Sequence, residues 1–185
     1  MRYLHTMVRV TDIDASLRFW CDGLGLSEVS RREYPDGKFT LIFLAAEEDS
    51  EQFAERTGAL VAQYNKYEPL PGTNVNGTFT LGENIGDLSG LSIAYKAYKM
   101  SLGGREAPVI DGLTGDQRFF IGWAQAFRSK IRDEALVTQI QTDPHSPDRY
   151  RVNGIVYNVD AFYDAFDITA DHQLYIAPEN RVKIW

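Results

Sequence analysis

The sequence predicts an α+β protein, with a β-α-β-β segment through about residue 46 and a mainly α-helical remainder. Three observations carry that expectation. Strand-like runs are confined to the first quarter of the chain; beyond Glu47, apolar residues recur at three- and four-residue spacing; and Gly and Pro cut the later stretch into helix-length pieces. With 185 residues and 44% hydrophobic composition, the chain has enough material for one core, with room for a small appendage.

Taken in order, Tyr3 to Val10 reads as a strand. Thr11-Asp12 can cap a helix that places Ile13, Leu17, Phe19, Trp20 and Leu24 on a mainly apolar side, closed by Gly23 and Gly25. Leu26 to Arg32 predicts a second strand, Pro35-Asp36-Gly37 a tight turn, and Phe39 to Ala45 a third strand. Three strands with one helix leave a sheet edge and a sheet face that still need cover.

The character then changes. The acidic run of Glu47, Glu48, Asp49 and Glu51 leads into Phe53, Thr57, Leu60, Val61 and Tyr64, which share one side of a helix. Glu68-Pro69-Leu70-Pro71-Gly72 ends it. A long helix is predicted from about Leu81 to Met100, stopped by Gly103-Gly104, and another from about Thr114 to Ser129 with Phe119, Phe120, Trp123, Ala124 and Phe127 inward. A shorter helix includes Glu134 to Ile140, Asp143 to Pro147 forms a rigid connector, and Val159 to Phe166 forms a last short helix. The compositional break places a boundary at about residues 46 to 49.

A formal charge of −7 argues against nucleic acid or an anionic membrane as partner. No stretch approaches the roughly 20 apolar residues of a membrane span, and the start lacks a basic-then-apolar signal layout, so a cytoplasmic protein is expected. Cys21 is the single cysteine, which excludes an intrachain disulfide.

Six residues stand out as candidates for chemistry. His5, on the first predicted strand, is a metal ligand or a structural histidine; Arg9, on the same strand face, meets a substrate carboxylate or a surface acid. Glu83 and Asp87 lie four apart on one face of the long predicted helix, as a metal-binding pair or a solvated acidic face. His145 sits between two prolines and Arg151 follows six residues later. Together those two can stabilise an oxyanion as water adds to a peptide carbonyl, or serve as a loop hydrogen bond and a salt bridge.

Two family resemblances overlay this pattern. Residues 1 to 46, with LHTMVRV, DASLRFW, LGL and FTLIFLA in order, resemble the start of glyoxalase I (lactoylglutathione lyase). That likeness implies an incomplete module with His5 as a nickel or zinc ligand and Arg9 near the carboxylate of a glutathione adduct, the hemithioacetal with methylglyoxal. Residues 47 to 185, with VNGTFTLGENIGDLSG, GDQRFFIGWAQAF, TDPHSPDRYRVNG and NRVKIW, resemble the carboxy-terminal part of neprilysin-like zinc metallopeptidases. By that likeness Glu83 is the third zinc ligand and Asp87 orients a zinc-bound histidine, while His145 and Arg151 contact the substrate and its transition state.

Neither site is complete. The peptidase motif H-E-x-x-H supplies two imidazoles and the glutamate that activates water, and it occurs nowhere in the 185 residues. The expectation is therefore a peptidase-related fragment, not catalytic by itself, that meets a peptide substrate only with a missing lobe supplied. The alternatives are a lactoylglutathione lyase relative and a non-enzymatic chimeric fusion.

Overall fold

The computed structural model describes residues 9–35, 38–45, 47–173 and 175–184. Its contacts divide the chain into two compact units, the first ending at Glu55 and the second spanning Arg56–Ile184.

In the first unit, helix α1 (Ile13–Leu17) starts where the Asp12 carboxylate accepts the Ala15 amide at 2.9 Å. It runs into a π-helical turn, Arg18–Gly23, and the chain then reverses through Gly25 at φ +70, a left-handed conformation glycine adopts without Cβ strain. Strands β1 (Ser27–Tyr34) and β2 (Phe39–Ala45) form an antiparallel ribbon, with Tyr34 opposite Phe39 and Arg32 opposite Leu41. The register shifts between Glu28 and Ser30. The Tyr34 and Phe39 rings stack at 4.6 Å, yet both stay exposed. Every buried hydrophobic side chain among the described residues belongs to the second unit.

The α+β expectation is therefore corrected. The described residues form seven α-helices and one two-stranded ribbon, a mainly α-helical fold with no β-α-β-β module. Of the predicted first strand only Arg9 and Val10 are described, and neither is in a strand. The hairpin was legible because Pro35 and a β-branched, aromatic run flank a tight turn. A hairpin pattern does not say how many strands join it, because that depends on partners remote in sequence.

The second unit is built on helices. Helix α2 (Glu47–Tyr64) starts at the compositional break, and the division between units falls within it. There follow α3 (Leu81–Ser101), α4 (Gly115–Ala126), α5 (Asp133–Thr142), α6 (Asp148–Val156) and α7 (Asp160–Ala165). Helix α4 opens with a capping box in which the Thr114 hydroxyl accepts the Gln117 amide and the Gln117 side chain accepts the Thr114 amide. Helix α3 packs on α6, and α4 on α6 and α7. Leu60, Tyr64, Leu88, Leu91, Phe120, Ile155 and Val156 form the core between them.

Helix α6 was absent from the sequence expectation. DRYRVNGIV contains two valines, an isoleucine, a glycine and an asparagine, all poor helix formers. Tertiary burial of Tyr150, Gly154, Ile155 and Val156 compensates for the weak propensity. The buried Tyr64 hydroxyl donates to the Tyr150 carbonyl at 3.0 Å, and the Gln63 amide to the Gly154 carbonyl at 2.8 Å. Asn158 ties the end of the unit back, accepting the Val182 amide at 2.7 Å. No helix among the described residues is long and apolar enough to cross a membrane.

Candidate functional site

The α3–α6 contact is pinned by a buried polar bond. Asn84, 1% exposed, donates to the Thr80 hydroxyl at 2.9 Å and accepts the Ser146 hydroxyl at 2.8 Å. Because Ser146 is fully buried as well, the Asp143–Pro147 connector is held in one register against the first turn of α3.

That register brings the neighbours of the anchoring residues together. Glu83 precedes Asn84, His145 precedes Ser146, and His145 Nε2 lies 2.9 Å from Glu83 Oε2. The other ring nitrogen, Nδ1, lies 2.7 Å from Asp143 Oδ1, the oxygen that also accepts the His145 backbone amide at 2.9 Å. The imidazole is thus held between two carboxylates. A neutral ring satisfies one of them and an imidazolium both. The backbone N–H of His145, then its ring, hold the Asp143 carboxyl below its usual pKa.

One turn further along α3, Asp87 meets Arg151 of α6 in a two-point contact. Arg151 Nε donates to Oδ2 and Nη2 to Oδ1, both at 2.7 Å. This pair is the drier one, with side chains 10% and 19% exposed, against 43% and 40% for Glu83 and His145. The hydrogen bond to Asp87 raises the Arg151 pKa above its already high value, so the guanidinium stays charged. Its plane lies over the Phe127 ring, 4.7 Å from the centroid.

Four sequence-predicted residues, Glu83, Asp87, His145 and Arg151, therefore converge as two cross-linked pairs. Arg9 is exposed and belongs to the first unit, and His5 lies outside the described residues. Sequence reasoning missed Asn84, Ser146 and Asp143. The Asp two residues before His145, followed by Pro, was the available signal, since such a side chain bonds the backbone two residues on.

These residues do not fit a catalytic zinc ion. Such a site needs about three protein ligands and an open position. Here Glu83 is the one predicted ligand described, and its carboxylate is engaged by His145. Among the described residues no group of three or more His, Cys, Asp or Glu side chains is arranged to hold a metal.

The chain is similar over most of its length to known proteins. The model of peptidase family M13 matches residues 34–182. Neprilysin-1 of Caenorhabditis elegans is 39% identical over 143 residues, covering 74% of this chain and 19% of that protein. Human membrane metallo-endopeptidase-like 1 is 39% identical over 142 residues, covering 74% and 18%. Among solved structures, the Mycobacterium tuberculosis zinc metalloprotease Zmp1 in complex with inhibitor is 54% identical with a TM-score of 0.74, covering 76% of this chain and 22% of that one. The chain thus spans about a fifth of the length of these relatives.

These matches correct the resemblance drawn for residues 1 to 46. The peptidase match begins at residue 34, inside the segment assigned to a lyase, and runs on without regard to the break near Ala46. The glyoxalase-like module, the lyase activity and the chimeric fusion are withdrawn. DASLRFW falls in α1 and the π-helical turn and FTLIFLA in β2, local patterns that many folds share, while most of LHTMVRV lies outside the described residues.

Proposed function

The chain belongs to peptidase family M13, and on that premise we propose that it is a segment of a neprilysin-like zinc metalloendopeptidase that supplies orienting and substrate-contacting side chains but does not cleave peptides by itself. In this reading Glu83 is the carboxylate offered to zinc once two histidines are supplied, and Asp87 orients one of those histidines. His145 and Arg151 contact the substrate carbonyl region.

The observation that carries the reading is the convergence of the four residues on one face of the α3–α6 contact, two on each side. What the chain's residues can do is bounded by the same geometry. The doubly bonded Arg151 is a fixed, permanently charged donor, and His145 presents an imidazole held from both sides. Electrostatic contacts of this kind are worth about 3 to 4 kcal/mol at an oxyanion. They do not replace the imidazole pair and the base, which the 185 residues lack as an H-E-x-x-H motif.

The test has two arms. A quenched internal-peptide assay on the pure chain with zinc is expected to show no cleavage, and calorimetry no submicromolar zinc site. Chelator-sensitive cleavage that Glu83→Gln abolishes would defeat the non-catalytic half of the proposal. Adding an M13 segment that carries H-E-x-x-H is expected to create zinc binding that Glu83→Gln weakens. Zinc binding indifferent to Glu83 would defeat the other half.

A further inference from the structure

A concavity in the Arg56–Ile184 unit lies apart from the candidate site and has a different chemistry. It is an open cavity of about 670 Å³ formed where α6, α7 and the segment following α7 meet. Its apolar wall is Tyr157, Phe162, Phe166 and Ile168, and its acidic groups are Asp167 and Asp171. Among the described residues His172 is the one basic side chain that lines it, with no Lys or Arg, and none of Glu83, Asp87, His145 or Arg151 does. Asn153 lines it from α6, two residues beyond Arg151, which puts it about 200° around the helix from the Asp87 contact.

We propose that this cavity binds the guanidinium-bearing side chain of an extended peptide, with the arginine plane on the aromatic wall and its charge against Asp167 and Asp171.

Three observations support that ligand. Rings beside the wall already accept a guanidinium, since Arg181 stacks 3.6 Å from the centroid of Tyr163, which also borders the cavity, and 5.5 Å from that of Tyr175, which does not. A planar, weakly hydrated cation suits such rings better than a compact ammonium does. The cavity side carries two carboxylates against one imidazole, that of His172, which lies in the field of Asp171. Asp160 is neutralised by Arg181 at 2.9 Å and Lys183 at 2.6 Å, while Asp167 and Asp171 have no Lys or Arg ion-pair partner among the described residues. Asp171 accepts the Thr169 hydroxyl, which fixes its carboxylate. Finally, the volume lies within the roughly 300–1,000 Å³ range of ligand sites and exceeds what one guanidinium fills, which favours a side chain with flanking peptide.

The whole chain would be titrated with a labelled, otherwise uncharged pentapeptide carrying one central arginine, followed by fluorescence anisotropy. Saturable binding is expected, weakened at least tenfold when citrulline replaces arginine and progressively weakened by added salt. The Asp167→Asn, Asp171→Asn double variant should lose binding at least tenfold with unchanged circular dichroism. Asn is the conservative choice because Asp167 sits at φ +51, a left-handed conformation Asn also tolerates. Should that variant fail to fold, the citrulline and salt arms on the unaltered chain decide. No saturation by the arginine peptide at millimolar concentration, or equal binding of the citrulline peptide, would overturn the proposal. A lysine peptide binding equally well would overturn the guanidinium assignment, and agmatine binding as tightly as the peptide would overturn the peptide source.

Discussion

Breaking the Asp87–Arg151 pair should be the most damaging single change at the candidate site, and its size follows from the geometry. Both contacts are 2.7 Å, bidentate and charge-assisted, and the two side chains are only 10% and 19% exposed. Charge centres about 4 Å apart attract by about 4 kcal/mol at an effective dielectric of 20. Incomplete hydration of both ions offsets part of that, which leaves a coupling of roughly 2 to 3 kcal/mol. Asp87→Asn preserves the shape but leaves Arg151 charged beside Phe127 without an anion, so the single variant should lose about 3 kcal/mol. The assay is urea unfolding of the parent, Asp87→Asn, Arg151→Gln and the double variant, followed by helical circular dichroism. With a slope of about 2 kcal/mol per molar, Asp87→Asn should lower the midpoint by about 1.5 M, and the double variant should fall well short of additivity. A coupling under about 0.5 kcal/mol, or one that about 0.5 M salt erases, would refute the reasoning, because that is how an exposed pair behaves.

Gly154→Ala should cost about 1 to 3 kcal/mol by overpacking, since a Cβ there would stand 2.7 Å from the Tyr64 hydroxyl and 2.9 Å from its ring. Tyr64 cannot retreat without losing its bond to the Tyr150 carbonyl, so a thermal melt unchanged by this substitution would contradict the packing described. Acid should loosen the chain terminus through Asp160. Burial pushes that carboxyl up, but the bonds from Lys183 and Arg181 outweigh it and hold its pKa below the usual value. A depressed folded-state value means that its stabilisation is complete above the ordinary carboxylate range, about pH 4, and is lost as pH falls through the lower, folded-state value. Amide exchange near Val182 should therefore accelerate in that acid window for the parent, and an Asp160→Asn variant that keeps the same acid response would oppose this assignment. Ser146→Ala should release the connector, leaving Asn84 with a buried acceptor unpaired at a cost of about 1 to 3 kcal/mol. The His145 ring resonances report the release by losing their sensitivity to Glu83→Gln.

The sequence by itself determined much of this protein. The periodic runs after Glu47 became α2, α3, α4 and α5 within a few residues of their expected ends, because an apolar stripe, a Thr114 cap and Gly-Gly stops act within a turn or two of chain. Spacing also put Glu83 and Asp87 on one helical face, and word-level likeness singled out His145 and Arg151. What the sequence could not decide was what those groups face. Only the tertiary structure pairs Glu83 with His145 and Asp87 with Arg151, because both depend on the Asn84–Ser146 bond between residues 62 positions apart. Helix α6 depended on the same kind of information, its poor formers being held by Tyr64 and Gln63 from a distant helix. The first quarter went the other way. Its helix and hairpin were readable, but the sheet inferred from them was not, because strand count is set by partners and local pattern specifies only the turn.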